Sequence, residues 1–171
     1  VTAVTNGGTG ARPTKDGLSA TAYPSGVRAS PIEILESIAP LVFWRKELRP
    51  DSGGAGQYRG GHGQYLEIEN RDGQDFELLA AFDRIDHPAR GHDGGDDGAK
   101  GRITLSSGAV LKGKGFQDIP SGQRLMVETP GGAGIGNPRD RDPDSVAADI
   151  RDGLVTPEAA KRDYGVQERL V

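Results

Sequence analysis

Three groups of residues have the types and spacing to do chemistry. The first is Arg12, Lys15 and Asp16, the only charges in a loop that runs from Asn6 to Gly17. Gly7, Gly8 and Gly10 precede the arginine. Backbone amides and a guanidinium could converge there on a carboxylate or carbonyl, or the same residues could make an ordinary surface turn. The second group is Asp83 to Lys100, where Asp86, His87, His92, Asp93, Asp96 and Asp97 lie among glycines and almost nothing is apolar. Two histidines and four carboxylates suit a weak divalent-ion site. The spacing is neither that of an EF-hand nor H-E-x-x-H, so a solvated or partner-facing loop is the plainer reading. The third is Arg49 to Gly63, with six glycines from Gly53 onward flanked by Arg49 and Arg59. It fits an architectural connection, or an anion nest between two guanidiniums. No phosphate-loop or dinucleotide pattern is present.

No cysteine occurs, no H-E-x-x-H is present, and no Ser-His-Asp arrangement is convincing. The histidines sit in glycine-rich loops at positions 62, 87 and 92. No catalytic residue and no metal ligand is therefore assigned. The net charge of −4 and the lack of a Lys/Arg block argue against nucleic acid as a partner. No apolar run reaches the length of a membrane span. The absence of cysteine fits a cytoplasmic protein. Val1 runs straight into a glycine loop with no signal-peptide pattern, which suits a fragment, a processed chain or a small subunit.

The elements that must position these groups are short. With 27 glycines and 11 prolines in 171 residues, the chain reads as loop-rich and mainly β. Leu41–Trp44 and Gln64–Glu69 read as strands on either side of the glycine-dense connection, which is expected to be tight. Phe76–Phe82 reads as a strand whose hairpin partner is Leu66–Asn70, across an Asp72–Gly73 turn. Gly101–Leu105 and Ala109–Leu111 flank a Ser-Ser-Gly turn, and Gly115–Pro120 leads to a strand over Arg124–Thr129. Ile103, Leu105, Leu125 and Val127 are expected on one core face. This pattern predicts an antiparallel sandwich or a partly open barrel.

Ser30, Pro31 and Glu33 read as an N-cap, an N1 proline and a capping-box glutamate. They open a two-turn helix with Ile34, Leu35 and Ile38 as its apolar stripe. Near the C-terminus Asp142 and Pro143 open a helix ended by Gly153, and Thr156–Pro157 open another ended by Gly165. These make a helical hairpin assigned to packing. The chain thus divides into 1–40, a glycine-rich loop and short helix; 41–136, a β-rich core; and 137–171, the helical hairpin.

Four blocks carry a resemblance to a known family. They are Gly7–Pro13 with Asp16–Gly17; Glu47–Gly54 with Gly56–Gly61; Glu128–Gly134; and Asn137–Pro138 through Asp142–Pro143 to Glu158. Together they resemble, in order, the C-terminal part of the hydantoinase B / 5-oxoprolinase family, which is related to acetone carboxylase. The resemblance implies a C-terminal portion of a B-type subunit of an ATP-dependent cyclic amide hydrolase, inactive alone. A related ketone carboxylase subunit and a non-catalytic assembly module are the alternatives. It also implies a hydantoinase A-like ATP-binding subunit and the N-terminal part of the B subunit as partners in a hetero-oligomer. ATP and a divalent metal belong to that complete enzyme, with no cofactor in this chain. Residues 1–40 are expected to pack on the absent catalytic region. Gly8, Arg12 and Asp16 become the substrate-binding candidates: Arg12 would neutralise a carboxylate or phosphorylated intermediate, and Asp16 would orient Arg12 or the glycine loop. The acidic stretch 83–100 departs from the family pattern, so no ligand contact is carried over to it.

Overall fold

The computed structural model describes residues 1–27 and 29–166. Six strands follow a short helix: α1 (Ile32–Ile38), β1 (Leu41–Leu48), β2 (Gln64–Asn70), β3 (Phe76–Ala81), β4 (Arg102–Leu105), β5 (Lys114–Ile119) and β6 (Leu125–Glu128). One sheet has the order β1-β2-β6-β4, and β3 pairs with β5 in a second; all pairings are antiparallel. Both sheets are open, so the sandwich expectation stands and the barrel does not.

Period-two alternation puts Leu66, Ile68, Ile103, Leu105, Leu125 and Val127 on one face, where they share a core with Ile119 of β5. Phe76 and Leu78 of β3 pack against the same cluster. Burying each large aliphatic side chain there contributes about 1.5–3 kcal/mol. β3 does not pair with β2 as its turn suggested. Both edges of β2 are already occupied, by β1 and by β6, so β3 pairs with β5 instead. β1 carries a bulge at Trp44, whose indole N–H donates to Glu69 at 2.7 Å while Arg124 lies over the ring.

α1 departs from its expected cap. Pro31 occupies the N-cap position and no side chain caps the helix. Its stripe also splits: Leu35 is buried, whereas Ile34 and Ile38 are exposed. At the other end the capping signals hold. The Asp142 carboxylate accepts from Ser145 N–H at the start of α2 (Pro143–Arg151), and Thr156 Oγ1 accepts from Ala159 N–H at the start of α3 (Pro157–Ala159). α3 continues as a π-helical turn, Ala160–Tyr164, and Gly153 and Gly165 adopt left-handed φ beyond each helix. Val146, Val155, Ala159, Ala160 and Tyr164 form a second core with Ala55.

Ala55 belongs to the glycine-dense stretch, which is not a tight turn between β1 and β2. Residues 52–63 run alongside 6–12, 16–20, 89–99 and 129–136, with backbone hydrogen bonds tying one segment to the next. Gly8 N–H donates to Pro130 (2.9 Å), Gly61 to Thr9 (2.9 Å), Gly132 to Gly61 (2.9 Å) and Gly54 to Gly132 (2.8 Å). Asp96 N–H donates to Ala55 and Gly134 N–H to Asp96. The glycines recur at a spacing of three, as in Gly53/Gly56, Gly60/Gly63, Gly95/Gly98 and Gly131/Gly134. That is the repeat of a chain with three residues per turn, in which one side keeps facing a neighbour. None of these eight has a left-handed φ; what they supply is close approach. A Cβ on Gly60 would lie 2.0 Å from the Gly132 carbonyl oxygen, and one on Gly131 would lie 1.6 Å from that of Ser52.

Candidate functional site

Arg12 and Lys15 close a two-residue hairpin over Pro13 and Thr14, with Arg12 N–H donating to Lys15 (2.8 Å) and Lys15 N–H to Arg12 (3.2 Å). The hairpin stands out from the glycine layer, anchored by Ala11 N–H to Ala133 on one side and Gly17 N–H to Arg59 on the other. The Arg12 side chain is exposed and donates one N–H to the main-chain carbonyl of Asp16 at 3.1 Å. A guanidinium has five N–H donors in a planar fork, so most remain available for a two-oxygen anion. Gly8 lies at the root of this segment. Its amide is committed to Pro130, and the space over its Cα is filled by the Gly61 carbonyl. Gly8 therefore contributes closeness of packing rather than a free donor.

The Asp16 carboxylate faces inward. It accepts two hydrogen bonds from Arg141 at 2.7 Å each, and one from the Arg59 backbone N–H at 2.8 Å. Arg141 also donates to Asp149 at 2.7 Å and to the Gln57 carbonyl at 3.2 Å. Asp149 in turn receives Arg59 through both oxygens, at 3.0 and 2.9 Å. The result is a four-residue ionic chain, Asp16–Arg141–Asp149–Arg59, joining α2 to the glycine layer. Arg59, Arg141 and Asp149 are buried. Burial raises the Asp16 pKa, but the hydrogen bonds and charge of Arg141, helped by Arg59, outweigh it and hold the carboxyl below its usual range. Burial alone would lower the pKa of Arg141; its two carboxylate partners raise it instead. The sequence offered Arg59 only as a flank of a glycine run, and it placed Arg141 and Asp149 in the C-terminal segment 137–171 assigned to packing. The pairing spans residues 16 to 149, which no local spacing discloses.

The anion-nest reading of residues 49–63 is not borne out, because both flanking arginines are committed. Arg49 pairs with Glu128 at 2.9 Å and donates to the Lys100 carbonyl, and Arg59 holds Asp149. His62, expected in a loop, is fully buried. Its Nδ1 accepts from Gly53 N–H at 3.4 Å, which places the proton on Nε2. Ser52 Oγ lies 3.5 Å from Nδ1, but its hydroxyl donates to the Arg49 carbonyl at 2.6 Å and accepts from Gly63 N–H. This serine and histidine are packing partners, not a nucleophile and base. Burial, with the nearby Arg59 charge, lowers the His62 pKa from 6.5 to about 4. The unfolded chain then binds more protons than the folded one between those values. Stability is complete above about 6.5 and falls as pH drops toward about 4. Urea denaturation from pH 7 to 4 should show that slope, and His62→Gln should flatten it; an unchanged slope in the variant would remove the assignment.

His87 and His92 are exposed, and His92 lies 3.5 Å from the Asp93 carboxylate at the surface. Among the described residues no three His, Cys, Asp or Glu side chains gather to hold a metal ion. The 89–98 backbone instead packs on 131–136, with His92 N–H donating to Gly134 and Gly136 N–H to His92.

A domain of open antiparallel sheets with an interlocked glycine layer and a carboxylate–guanidinium tether is thus what carries the Arg12 hairpin. Residues 1–138 match the hydantoinase B/oxoprolinase family, and the chain belongs to it. It is 36% identical over 136 residues to 5-oxoprolinase 1 of Arabidopsis thaliana, covering 77% of this chain and 11% of the plant protein. The crystal structure of the ATP-dependent caprolactamase from Pseudomonas jessenii superposes with a TM-score of 0.72 at 30% identity, over 95% of this chain and 30% of that one. Nucleotide-free acetone carboxylase gives 0.68 at 25% identity, over 94% and 26%. The chain spans about a quarter of the length of several curated relatives it matches.

Proposed function

We propose that this chain is the C-terminal portion of a B-type subunit in an ATP-dependent cyclic amide hydrolase of the hydantoinase/5-oxoprolinase type, active only in the assembled enzyme. The observation that carries the reading is the exposed Arg12 guanidinium, held by its own hairpin on a domain of this family. An unstrained amide is a poor electrophile. Phosphorylation of its carbonyl oxygen, at the expense of ATP on an A-type partner subunit, converts that oxygen into a leaving group. Arg12 then neutralises a carboxylate or the phosphorylated intermediate, while Gly8 and Asp16 keep the segment in place. The resemblance assigns a divalent metal to the whole enzyme. The described residues do not fit one, and what they offer the reaction is an anion contact.

Support for the remainder of the B polypeptide as a partner comes from where apolar side chains are left uncovered. Leu18, Tyr23, Val27, Ile34 and Ile38, all within the first 38 residues, are exposed. Isolated apolar residues are common at surfaces; what supports the reading is that five of them fall within so short a segment. The acetone carboxylase likeness over 94% of the chain favours a second reading, a subunit of an ATP-dependent ketone carboxylase.

Assays of the reconstituted complex with hydantoin, 5-oxoproline, and acetone plus bicarbonate separate the two readings. ATP consumption with none of them would sink both. In the productive assay Arg12→Ala should lower turnover by about tenfold or more with folding unchanged. If Arg12 serves only a subunit boundary, sedimentation will show weakened assembly, and activity per assembled complex will stay near wild type.

A further inference from the structure

We propose that Arg141 is a positioning residue for the Arg12 hairpin, so that the C-terminal helices determine where the anion contact points. The ligand role of Arg12 is the reading given above, and the functional half of this inference rests on it. The structural half rests on the chain of bonds. Asp16 ends the hairpin, and its two functional groups face opposite ways: the main-chain carbonyl accepts from Arg12 at 3.1 Å, and the carboxylate accepts from Arg141. A bidentate guanidinium–carboxylate pair fixes distance and plane together, which a single hydrogen bond does not. Arg141 is itself held on its other side by Asp149 of α2, and Tyr164 lies 6.0 Å from its guanidinium. Both residues lie beyond the 1–138 segment that matches the family, so the tether adds residues outside that match. Without it, the hairpin would keep only its two backbone anchors, at Ala11 and Gly17, and the Arg59 amide on Asp16. Two anchors at the base of a hairpin act as a hinge. The Arg141 pair adds two charge-assisted bonds beside the Arg59 amide and limits rotation about it.

The test uses Arg141→Lys and Asp16→Asn, which retain a polar group at each position. Hydrogen exchange of the Arg12, Lys15 and Gly17 amides in the full chain should accelerate by about tenfold or more. The Leu66 and Val127 amides in the sheet should accelerate only as far as the loss of global stability measured by urea denaturation accounts for, and less than the hairpin amides. In the reconstituted complex, with whichever of 5-oxoproline, hydantoin or acetone plus bicarbonate supports turnover, Arg141→Lys should raise KM more than it lowers kcat. The Arg12→Ala/Arg141→Lys double variant should be no worse than Arg12→Ala alone. Uniform acceleration across the chain, or unchanged exchange in the hairpin, overturns the positioning role whatever the kinetics. Arg12→Ala with wild-type kinetics overturns the ligand reading instead, and exchange in the hairpin still decides whether Arg141 positions it.

Discussion

Arg141→Ala is expected to lower the free energy of unfolding by roughly 3–5 kcal/mol, the range for removing one partner from a buried ion pair. The side chains of Arg141 and Asp149 are only 4% and 8% exposed, so water cannot replace the lost guanidinium at Asp149. Asp16, at 32%, is better solvated and contributes less of the loss. Arg59 stays on Asp149, but one guanidinium is then left for two carboxylates. The cost is dominated by that unbalanced negative charge, not by the attraction that was removed, because forming a buried pair already costs desolvation of both members. The comparison is Lys114→Ala, which breaks an exposed, solvent-screened pair with Asp83 and should leave stability nearly unchanged. Urea denaturation of both variants measures the difference, and a loss below about 1 kcal/mol for Arg141→Ala would show that the network is solvated. There is a pH consequence as well. The Asp16 pKa is lowered in the folded chain, so its stabilisation is present above the ordinary value of 3.8 and disappears as pH falls through the lowered one. In Arg141→Ala the two largest causes that lower the Asp16 pKa are gone, so the Asp16 share of the acid loss should shrink.

The parts of this fold written in local chemistry could be read from the sequence, and the parts that depend on distant partners could not. Asp142–Pro143 and Thr156–Pro157 announce their helices because an N-cap satisfies amides only two or three residues away. Ile103, Leu105, Leu125 and Val127 announce their shared face because alternation is a property of each strand alone. The partner of β3 was not legible, because it depended on which edges of β2 were already taken. Ile34 and Ile38 fit a helical stripe as well as Leu35 does, yet only Leu35 meets the rest of the domain. For the candidate site, Arg12 and Asp16 stood out as charges among glycines. The inward turn of the Asp16 carboxylate needed Arg141, 125 residues away in the chain. The density of glycine is compatible with left-handed φ or with close backbone approach, and the spacing of three together with the main-chain contacts decides for close approach.

That distinction gives the last prediction, a pair of substitutions two residues apart in one segment. Gly8 and Gly10 have the same chemistry, and neither has a left-handed φ, so backbone strain does not separate them. Their surroundings do. A Cβ on Gly8 would lie 1.8 Å from the Gly61 carbonyl oxygen, 2.2 Å from its carbon and 2.9 Å from the Gly132 nitrogen. All three are main-chain atoms, and Gly61 and Gly132 are themselves joined by a backbone hydrogen bond. No side chain can rotate away, so relief requires separating segments 6–12 and 52–63 and breaking bonds between them. Overpacking a core costs about 1–3 kcal/mol when neighbouring side chains can yield; here Gly8→Ala should cost at least about 3 kcal/mol. A Cβ on Gly10 would meet nothing nearer than the Ala133 carbonyl oxygen at 3.9 Å. Gly10→Ala removes freedom from the unfolded chain without a clash and should stabilise by about 0.4–1 kcal/mol. Thermal and urea unfolding of the two variants should therefore move in opposite directions. If both destabilise alike, the glycines are there for conformation, and if neither does, the segments are not in contact; either result would refute an interlocked glycine layer.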